Sequence, residues 1–288
     1  MYVLEEYDNA LRHILAKGRR KKNRTGVDTL SVTGMTCRYD ISKRLPLLTR
    51  RRLAFRPIVG ELLWYLSGNT NAYDLKGKYN CGVWLPWVSE KFERDKRFVE
   101  GALGPLYGFQ AVDFGGQYYG GEPKTYPYIG QCNQIERMVK LLKMEPHRRD
   151  IMLSVYNPAQ IDQMRLSPCH FAFQVLADVE NKTLDGILYM RSSDFPVGMP
   201  NNIVFYSLLT NLFAQQVGFT PNELIVMSGD AHVYVNQIPM VEEMLSRPAP
   251  DSPHYAVYEE DDISKYTMDS FGVYDYNPLP TMKFPVAV

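Results

Sequence analysis

A reactive thiol is the first candidate for chemistry in this chain. The stretch Leu166-Ser-Pro-Cys169-His170-Phe-Ala-Phe-Gln174 sets a cysteine beside a histidine, after a proline and before an alternating apolar run. The alternation predicts a buried strand, so Cys169 should lie at the mouth of that strand, where a thiolate is a nucleophile. A single cysteine is more often a small buried hydrophobe, so this prediction depends on the other groups that the chain supplies.

A carboxyl group suited to proton transfer lies inside a long apolar helical pattern. The pattern extends from Phe55 to Leu66, and Glu61 falls within it. Burial would raise the pKa of Glu61 towards neutrality, which a general acid or base requires. The alternative is a structural ion pair between Glu61 and one of the arginines at 50–52.

Polar side chains at the ends of predicted elements form a third set. Arginines with a serine hydroxyl are suited to bind a phosphate. Amides, hydroxyls and imidazoles are suited to bind a base edge and a sugar, and indoles on loops are suited to stack on a flat heterocycle. Each has a structural alternative, because a basic run is often a solvated face, an indole often packs in a core and an amide often caps a helix. Together they predict a nucleoside monophosphate as the substrate. The set is Arg24, Arg148, Arg149, Arg191, Ser192, Asn202, His232, Tyr234, Trp84 and Trp87.

The elements that must position these groups alternate between helical and strand patterns. Periodicity predicts α/β organisation, with Gly34 as a bulge or turn in the first strand region and residues 113–130 as an irregular surface insertion. An amide at 201 or 202 would cap the helix that follows it. The predicted helices are 4–17, 55–66, 129–143 and 203–217, and the predicted strands are 29–41, 151–156, 171–179, 184–190 and 224–227.

Composition limits the class of protein. The 288 residues are 45% hydrophobic, and 32 basic residues balance 32 acidic ones. The chain therefore lacks the overall basic excess that would predict a nucleic-acid scaffold. No run approaches the roughly 18 apolar residues that span a bilayer. Four cysteines without a CxxC pair, and an amino terminus without a signal pattern, predict a protein of the reducing cytoplasm.

Six short motifs follow one another along the chain. They are Glu61-Leu-Leu-Trp-Tyr-Leu-x-Gly-x-Thr-Asn71, Leu103-Gly-Pro-Leu-Tyr-Gly108, Leu166-x-Pro-Cys-His170, Tyr189-x-Arg-Ser-x-Asp194, Gly198-x-Pro-x-Asn-Ile203 and Gly229-Asp-Ala-His-Val-Tyr234. Each motif alone is modest, but in this order the six resemble the thymidylate synthase family over nearly the whole chain. The resemblance implies one α/β (α+β) domain over 1–288, with a large mixed, mostly antiparallel sheet flanked by helices and stacked sheet to sheet in a homodimer.

The resemblance also implies a reaction, in which a one-carbon unit passes from 5,10-methylenetetrahydrofolate to C5 of dUMP and is reduced, giving dTMP and dihydrofolate. Cys169 would add to C6 of the uracil, Glu61 would move protons through ordered water, and Asn202 would bind the O4/N3 edge of the base. His232 and Tyr234 would hold the ribose 3′ hydroxyl. No metal is implied.

By resemblance, every site residue then has an expected role. The catalytic set is Cys169, Glu61, Asn202, Tyr107, His170 and Asp194; the dUMP set is Arg24, Arg148, Arg149, Arg191, Ser192, Gln174, Asn202, His232 and Tyr234; the folate set is Arg51, Trp84, Trp87, Leu166, Asp194, Gly198, Asn201 and Val288. Arg148 and Arg149 would reach the site of the partner subunit, and residues 282–288 would close the pocket. No membrane and no obligatory nucleic acid is expected as a partner.

Two departures from the family pattern leave alternatives open. Asn201 stands where the family usually has a phenylalanine against the aminobenzoyl ring of folate. The two phosphate positions from the other subunit fall either on Arg148-Arg149 or on Arg149-Asp150. Deoxypyrimidine hydroxymethylases of this family let water attack the methylene carbon, and a polar residue near the folate would admit that water.

Three functions therefore remain, and two of them are enzymes. Asn202 indicates a uracil substrate, and the carboxyl-terminal Pro-Val-Ala-Val favours the water-excluding synthase over a dUMP hydroxymethylase that yields 5-hydroxymethyl-dUMP and tetrahydrofolate. The third hypothesis is not an enzyme: the chain would be an inactive relative that binds a nucleotide or RNA. The presence of Cys169, Glu61 and Asn202 argues against this third hypothesis, because a binding protein does not need a nucleophile.

Overall fold

A six-stranded mixed sheet is the centre of the computed structural model, which describes residues 1–88, 99–120 and 131–286. The strands lie in the order β1-β2-β6-β5-β4-β3, and neighbours are antiparallel except for β5 and β6, which are parallel. The predicted large, mixed, mostly antiparallel sheet is thus confirmed. The strands are β1 (Arg19–Lys21), β2 (Thr29–Asp40), β3 (Met152–Ser154), β4 (His170–Asp178), β5 (Thr183–Asp194) and β6 (Thr220–Tyr234).

Helices flank this sheet, and a two-stranded antiparallel ladder completes the described elements. The α-helices are α1 (Glu5–Lys17), α2 (Phe55–Leu66), α3 (Ala72–Tyr79), α4 (Gly108–Val112), α5 (Gln134–Met144), α6 (Gly198–Gln215) and α7 (Ile238–Ser246). Short 3₁₀ helices are Leu85–Val88, Ile161–Gln163, Val235–Gln237 and Met268–Ser270, and the ladder joins β7 (His254–Val257) to β8 (Phe271–Tyr274).

Two helices are apolar around most of their circumference and therefore lie inside the protein. In α6, every residue from Ile203 to Ala214 is buried, and in α2 the buried set includes Leu62, Leu63 and Trp64. The side chains of both helices belong to one continuous core that also takes in the inner face of the sheet. Glu61 is the only carboxyl group within α2, so the core holds it in a low-dielectric place.

The topology brings three strand ends to one edge of the sheet. Because β5 and β6 are parallel, their carboxyl ends meet, and Asp194 lies opposite His232 in the register. The antiparallel strand β4 begins at that same edge, where His170 lies opposite Met190. Polar residues that are far apart in sequence therefore converge there, and α6 starts only four residues after β5 ends.

Several element bounds differ from the sequence prediction. Gly34 has φ of 73°, yet the register with β6 is the same on both sides of it, so it makes neither a bulge nor a turn. The strand predicted at 224–227 extends over all of β6, and α5 begins only after its cap, Asn133. The helix predicted from residue 203 begins at Gly198, so Asn201 and Asn202 lie within it and do not cap it.

The predicted surface insertion is described only in part. Residues 121–130 lie outside the described residues, while Phe114 and Cys132, close to its two ends, form an antiparallel bridge. Among the helices of the described residues, none is long and apolar enough to cross a membrane.

Candidate active site

Cys169 is held at the start of β4 by two neighbours. Its backbone N–H donates to the hydroxyl of Tyr107 at 2.9 Å, and the guanidinium of Arg191 lies 3.6 Å from its sulfur. The same guanidinium donates to the carbonyl oxygens of Pro168 at 2.8 Å and Ser167 at 2.6 Å. The loop before β4 is thus tied to β5, and the thiol has a fixed position beside a positive charge.

The charges around Cys169 bear on its ionisation. Burial raises the pKa of the Cys169 thiol above its ordinary value, and the positive charges of Arg191 and Arg24 act in the opposite direction. A thiolate in this place is therefore supported by two arginines, one on β5 and one in the loop between β1 and β2.

Tyr107 reaches Cys169 because its loop is pressed against two other segments. A Cβ atom on Gly108 would lie 2.7 Å from the carbonyl oxygen of Tyr65, and one on Gly104 would overlap the carbonyl of Gln163, so only glycine fits at either place. Tyr107 itself has φ of 33°, which is unusual for a residue with a side chain. Such local strain is a common feature of functional sites.

His170 is a structural neighbour of the thiol with its own partners. Its ring stacks on Tyr107 with centroids 4.1 Å apart, and its Nδ1 atom lies 2.7 Å from the hydroxyl of Tyr206 on α6. Burial lowers the pKa of His170 to about 3, so the imidazole is neutral at physiological pH. The neutral ring can orient hydrogen-bond partners, but it does not carry the additional proton that an imidazolium would donate.

Glu61 faces the same region from α2. Its Oε1 atom accepts a hydrogen bond of 2.7 Å from the indole N–H of Trp84, and burial raises the pKa of Glu61 to about 7. Glu61 and Asn202 line a cavity of about 10 Å³ together with Tyr107 and His170. Such a volume accepts about one water molecule.

The far end of the site carries the groups predicted for phosphate and sugar. Ser192 lies opposite Asp230 in the register, and the rings of His232 and Tyr234 meet edge to face at 5.2 Å. The charge of Arg24 acts on both Cys169 and Tyr234. These residues therefore share one polar edge with the thiol.

Gln237 joins Asp194 to the carboxyl-terminal tail. Burial raises the pKa of Asp194, whose carboxylate accepts from Gln237 at 3.3 Å. The same Gln237 amide donates to the carbonyl of Pro285 at 2.9 Å. Arg51 lies with its guanidinium 5.0 Å from the ring centre of Phe284, so the described part of the tail rests on the site.

Aromatic and apolar side chains form a wall beside Glu61. The rings of Trp84 and Trp87 lie 5.4 Å apart, and Trp84 lies 5.5 Å from Tyr107. Leu166 is partly buried against the core. Asn201, in the first turn of α6 that begins at Gly198, donates its amide to the carbonyl of Val197 at 3.0 Å.

Three predicted residues, Gln174, Arg148 and Arg149, are not part of this assembly. Gln174 donates to the backbone of Arg149 at 2.6 Å and accepts from Tyr189 at 2.8 Å; at five residues along β4 it lies roughly 16 Å from Cys169. Arg148 makes a two-point ion pair with Asp150, with bonds of 2.8 Å and 2.6 Å. Val288 lies outside the described residues.

Other contacts of the site were not predicted from sequence. Tyr206 and Gln237 have no motif that marks them, although Tyr206 lies one helical turn after Asn202 on α6. Asp230 stands within the motif that ends at Tyr234, but residue type and spacing alone do not predict a role for it. Within the part of the chain that the structure describes, no group of three or more His, Cys, Asp and Glu side chains is arranged to hold a metal ion.

Fold and site together indicate an enzyme whose site holds a cysteine thiol beside basic side chains and a buried carboxyl group of raised pKa. A family model described as thymidylate synthase matches residues 5–288, and the chain belongs to that family. It is 37% identical to "Thymidylate synthase" of Homo sapiens over 98% of this chain and 90% of the relative. It is 35% identical to the enzyme of that name from Corynebacterium aurimucosum, over 98% and 97%. It is 37% identical to that of Human herpesvirus 8 type P, over 98% and 84%.

Proposed function

We propose that this chain methylates dUMP to dTMP with 5,10-methylenetetrahydrofolate as the one-carbon donor and reductant, releasing dihydrofolate. The observation that carries the proposal is the pairing of a fixed thiol beside Arg191 with a carboxyl group, Glu61, whose pKa is about 7. The relatives all carry the name of the synthase, so the hydroxymethylase alternative is not favoured.

Cys169 is the nucleophile in this proposal. Its thiolate adds to C6 of the uracil, which makes C5 a carbon nucleophile towards the methylene group that folate supplies. Arg191 and Arg24 stabilise the thiolate before the attack, and Tyr107 fixes the backbone that carries it. The neutral His170 ring, stacked on Tyr107, holds that tyrosine in place.

Glu61 moves protons in the later steps. A pKa near neutrality lets one carboxyl group both give and take a proton at physiological pH. The small cavity that Glu61 shares with Asn202 has room for one water, which would relay protons between Glu61 and the O4 atom of the base. Asn202 binds the O4/N3 edge, and its amide suits a uracil.

The polar edge of the sheet holds the two ends of the nucleotide. Arg24, Arg191 and Ser192 bind the phosphate, and His232 with Tyr234 binds the ribose 3′ hydroxyl. Arginine is the residue best suited to a phosphate because its planar donors match the oxygens in pairs. The convergence of β5 and β6 supports this arrangement, since both strands end there.

The folate lies in this proposal against the indoles of Trp84 and Trp87 and beside Leu166 and Gly198. The two indole planes are tilted by 55° with their centroids 5.4 Å apart, and an indole face is a suitable stacking surface for a flat pterin. Asp194, with its raised pKa, contacts the pterin ring. Arg51 lies where the tail rests, and Asn201 lies in the first turn of α6. Residues 282–288 exclude water once the folate is bound.

A homodimer completes the site. The sheet face opposite α6 carries apolar side chains in a row across four strands: Met152, Ile187 and Ile225 lie in one register, with Gln174 between Met152 and Ile187. Met152 and Met227 are 39% and 42% exposed. A second copy of this face is the natural cover, because a two-fold interface joins identical patches.

Arg149 is the cross-subunit phosphate ligand within that dimer. Its side chain is exposed, and its backbone is held by Gln174 on the apolar face. Arg148 is already paired with Asp150 and Glu145, so its charge is largely balanced. Gln174 then serves the dUMP site indirectly, by positioning the segment that bears Arg149.

A turnover assay tests the proposed function. The protein is incubated with dUMP and 5,10-methylenetetrahydrofolate, dihydrofolate is followed by absorbance, and the nucleotide is identified by mass. We expect dTMP and dihydrofolate in equal amounts. Hydroxymethyl-dUMP with tetrahydrofolate would establish the hydroxymethylase instead, and absence of any turnover would leave only the binding protein.

A further inference from the structure

A chain of polar contacts crosses three neighbouring strands behind His232. Asp230 on β6 places its Oδ2 atom 2.9 Å from the Nδ1 atom of His232. Its Oδ1 atom accepts from Lys21 on β1 at 3.2 Å and from the hydroxyl of Ser31 on β2. Lys21 also donates to Ser31 at 2.9 Å. The two oxygens of Asp230 thus have separate tasks, one facing the imidazole and one facing the strands.

The sheet register explains why these groups meet. Ser31 lies opposite His232 where β2 pairs with β6, and β1 brings Lys21 to the outer side of β2. Cross-strand neighbours lie close enough for direct side-chain contact. The hydrogen bond from His232 is the largest influence that holds the pKa of Asp230 well below its ordinary value, and Ser31 and Lys21 add to it.

The state of Asp230 determines what His232 can offer to a ligand. An ionised carboxylate only accepts hydrogen bonds, so the Nδ1 atom of His232 must carry a proton and donate it. In a neutral imidazole, the other nitrogen, Nε2, then has a free lone pair and is an acceptor. An acceptor at this place binds a hydroxyl group through its proton.

We propose that Asp230 is a positioning residue, held by Lys21 and Ser31, which fixes His232 in the Nδ1–H form so that Nε2 accepts the proton of the ribose 3′ hydroxyl. The inference rests on the proposed function for the identity of the sugar. It makes the site selective for nucleotides with a free 3′ hydroxyl, because His232 is 8% exposed and a ligand without that hydroxyl leaves its Nε2 atom unpaired.

The first test measures the tautomer directly and needs no nucleotide. Long-range ¹H–¹⁵N spectra at pH 8 distinguish Nδ1–H from Nε2–H imidazoles, and the signal that disappears in His232→Gln assigns His232. We expect Nδ1–H in the unmodified protein and Nε2–H in Asp230→Asn, whose amide oxygen remains with Lys21 and Ser31 while its N–H₂ group faces the ring. Asp28→Asn, which removes a carboxylate paired with Arg20, should leave the tautomer unchanged. An Nε2–H signal in the unmodified protein overturns the proposal, whatever the variants do.

The second test separates a role in sugar recognition from a role in folding. Calorimetry compares the binding of dUMP with that of 2′,3′-dideoxyuridine monophosphate, which lacks the 3′ hydroxyl. Asp230→Asn should bind dUMP about tenfold more weakly, as expected for one lost hydrogen bond to a polarised group, and should bind the dideoxy compound as before. An equal loss of affinity for both ligands would show that Asp230 only stabilises the fold and would overturn its role in recognising the sugar. If the unmodified protein makes no dTMP, the proposed function fails, but the tautomer measurement still decides the role of Asp230.

Discussion

Two titratable residues of the site have pKa values that burial moves in opposite directions. The pKa of Glu61 rises to about 7, and that of His170 falls to about 3. Burial disfavours the charged form of either group, so the acid holds its proton and the base gives its proton up. At neutral pH, Glu61 therefore exchanges protons while His170 stays neutral and only orients its neighbours. Pairs separated in this way identify which group does the acid–base work.

Glu61→Gln should reduce kcat by about 10²- to 10⁴-fold, since the amide cannot transfer a proton. Activity of the unmodified enzyme should fall as the pH rises through about 7, where Glu61 loses the proton it donates. The variant should lack this inflection in a plot of kcat against pH. The matched control is Glu242→Gln, an exposed acid on α7, which should keep both rate and profile. An unchanged inflection in Glu61→Gln would assign it to another group.

The same pKa predicts how stability depends on pH. The folded-state pKa of Glu61 lies above its ordinary value of 4.5, so the folded protein binds this proton more tightly than the unfolded chain. That contribution is fully present below about pH 4.5 and is lost as the pH rises through about 7. The difference in free energy of unfolding between the unmodified protein and Glu61→Gln, measured in urea, should therefore change between pH 5 and 8.

At the scale of elements, the amino-terminal turn of α6 and the carboxyl-terminal tail frame the proposed folate pocket. The helix begins at Gly198, so Asn201 projects from a rigid turn and bonds back to Val197. The tail is held through Gln237 and through the contact of Phe284 with Arg51. In the proposed reaction, both elements would control whether water reaches the reacting carbon.

Asn201→Phe should lower any hydroxymethyl-dUMP that forms beside dTMP, because an aromatic ring in place of the amide removes a polar surface that water can wet. The product ratio is measured by mass spectrometry after complete turnover. Asn201→Leu is the control for size and polarity without an aromatic face. A ratio that is the same in all three proteins would remove Asn201 from the control of water.

Phe284→Ala should loosen the tail, because it deletes the ring that faces Arg51. We expect kcat to fall about tenfold or more and the share of hydroxymethyl product to rise, while dUMP binding by calorimetry stays the same, since loss of closure exposes the intermediate to water. Lys283→Ala removes an exposed neighbour on the same segment and should behave like the unmodified protein. Equal effects in both variants would contradict a specific closing role for Phe284.

At the scale of the whole molecule, one face of the sheet packs on α6, and the other carries partly exposed apolar side chains such as Met152 and Met227. Phe173 meets Phe213 of α6 on the inner face, while Tyr156, Phe171 and Tyr189 form an aromatic group away from it. Arg149 lies beside this second face, where Gln174 donates to its backbone carbonyl. A dimer would bring it to the other site.

Complementation tests this arrangement. Cys169→Ala alone should be inactive but still bind dUMP, and Arg149→Ala alone should show a KM for dUMP raised about tenfold. When the two variants exchange subunits, a mixed dimer has one site with both Cys169 and the Arg149 of the partner, so about a quarter of all sites should regain the unmodified KM. Light scattering should give about twice the mass of one 33.2 kDa chain. No recovery on mixing would place Arg149 outside the partner's site.

The local elements and the reactive groups follow from the amino-acid sequence. Periodicity located α1, α2 and the β4–β5 hairpin, because amphipathic spacing is a property of neighbouring residues. Cys169 and Glu61 were identified from residue type and immediate surroundings. The start of α6 was misplaced because Asn201 and Asn202 have a preference for caps, whereas the burial of nearly the whole helix outweighs that preference.

Which of these groups lie together depends on the tertiary structure. The parallel pairing of β5 with β6 brings Asp194 to His232, and the loop that carries Tyr107 reaches Cys169 across 62 positions. The pKa of Glu61 depends on the core around α2 and on Trp84, and Asp230 contacts Lys21 and Ser31 through the order of the strands. Contacts between residues distant in sequence depend on register and packing, and these are set by the whole core rather than by any local pattern.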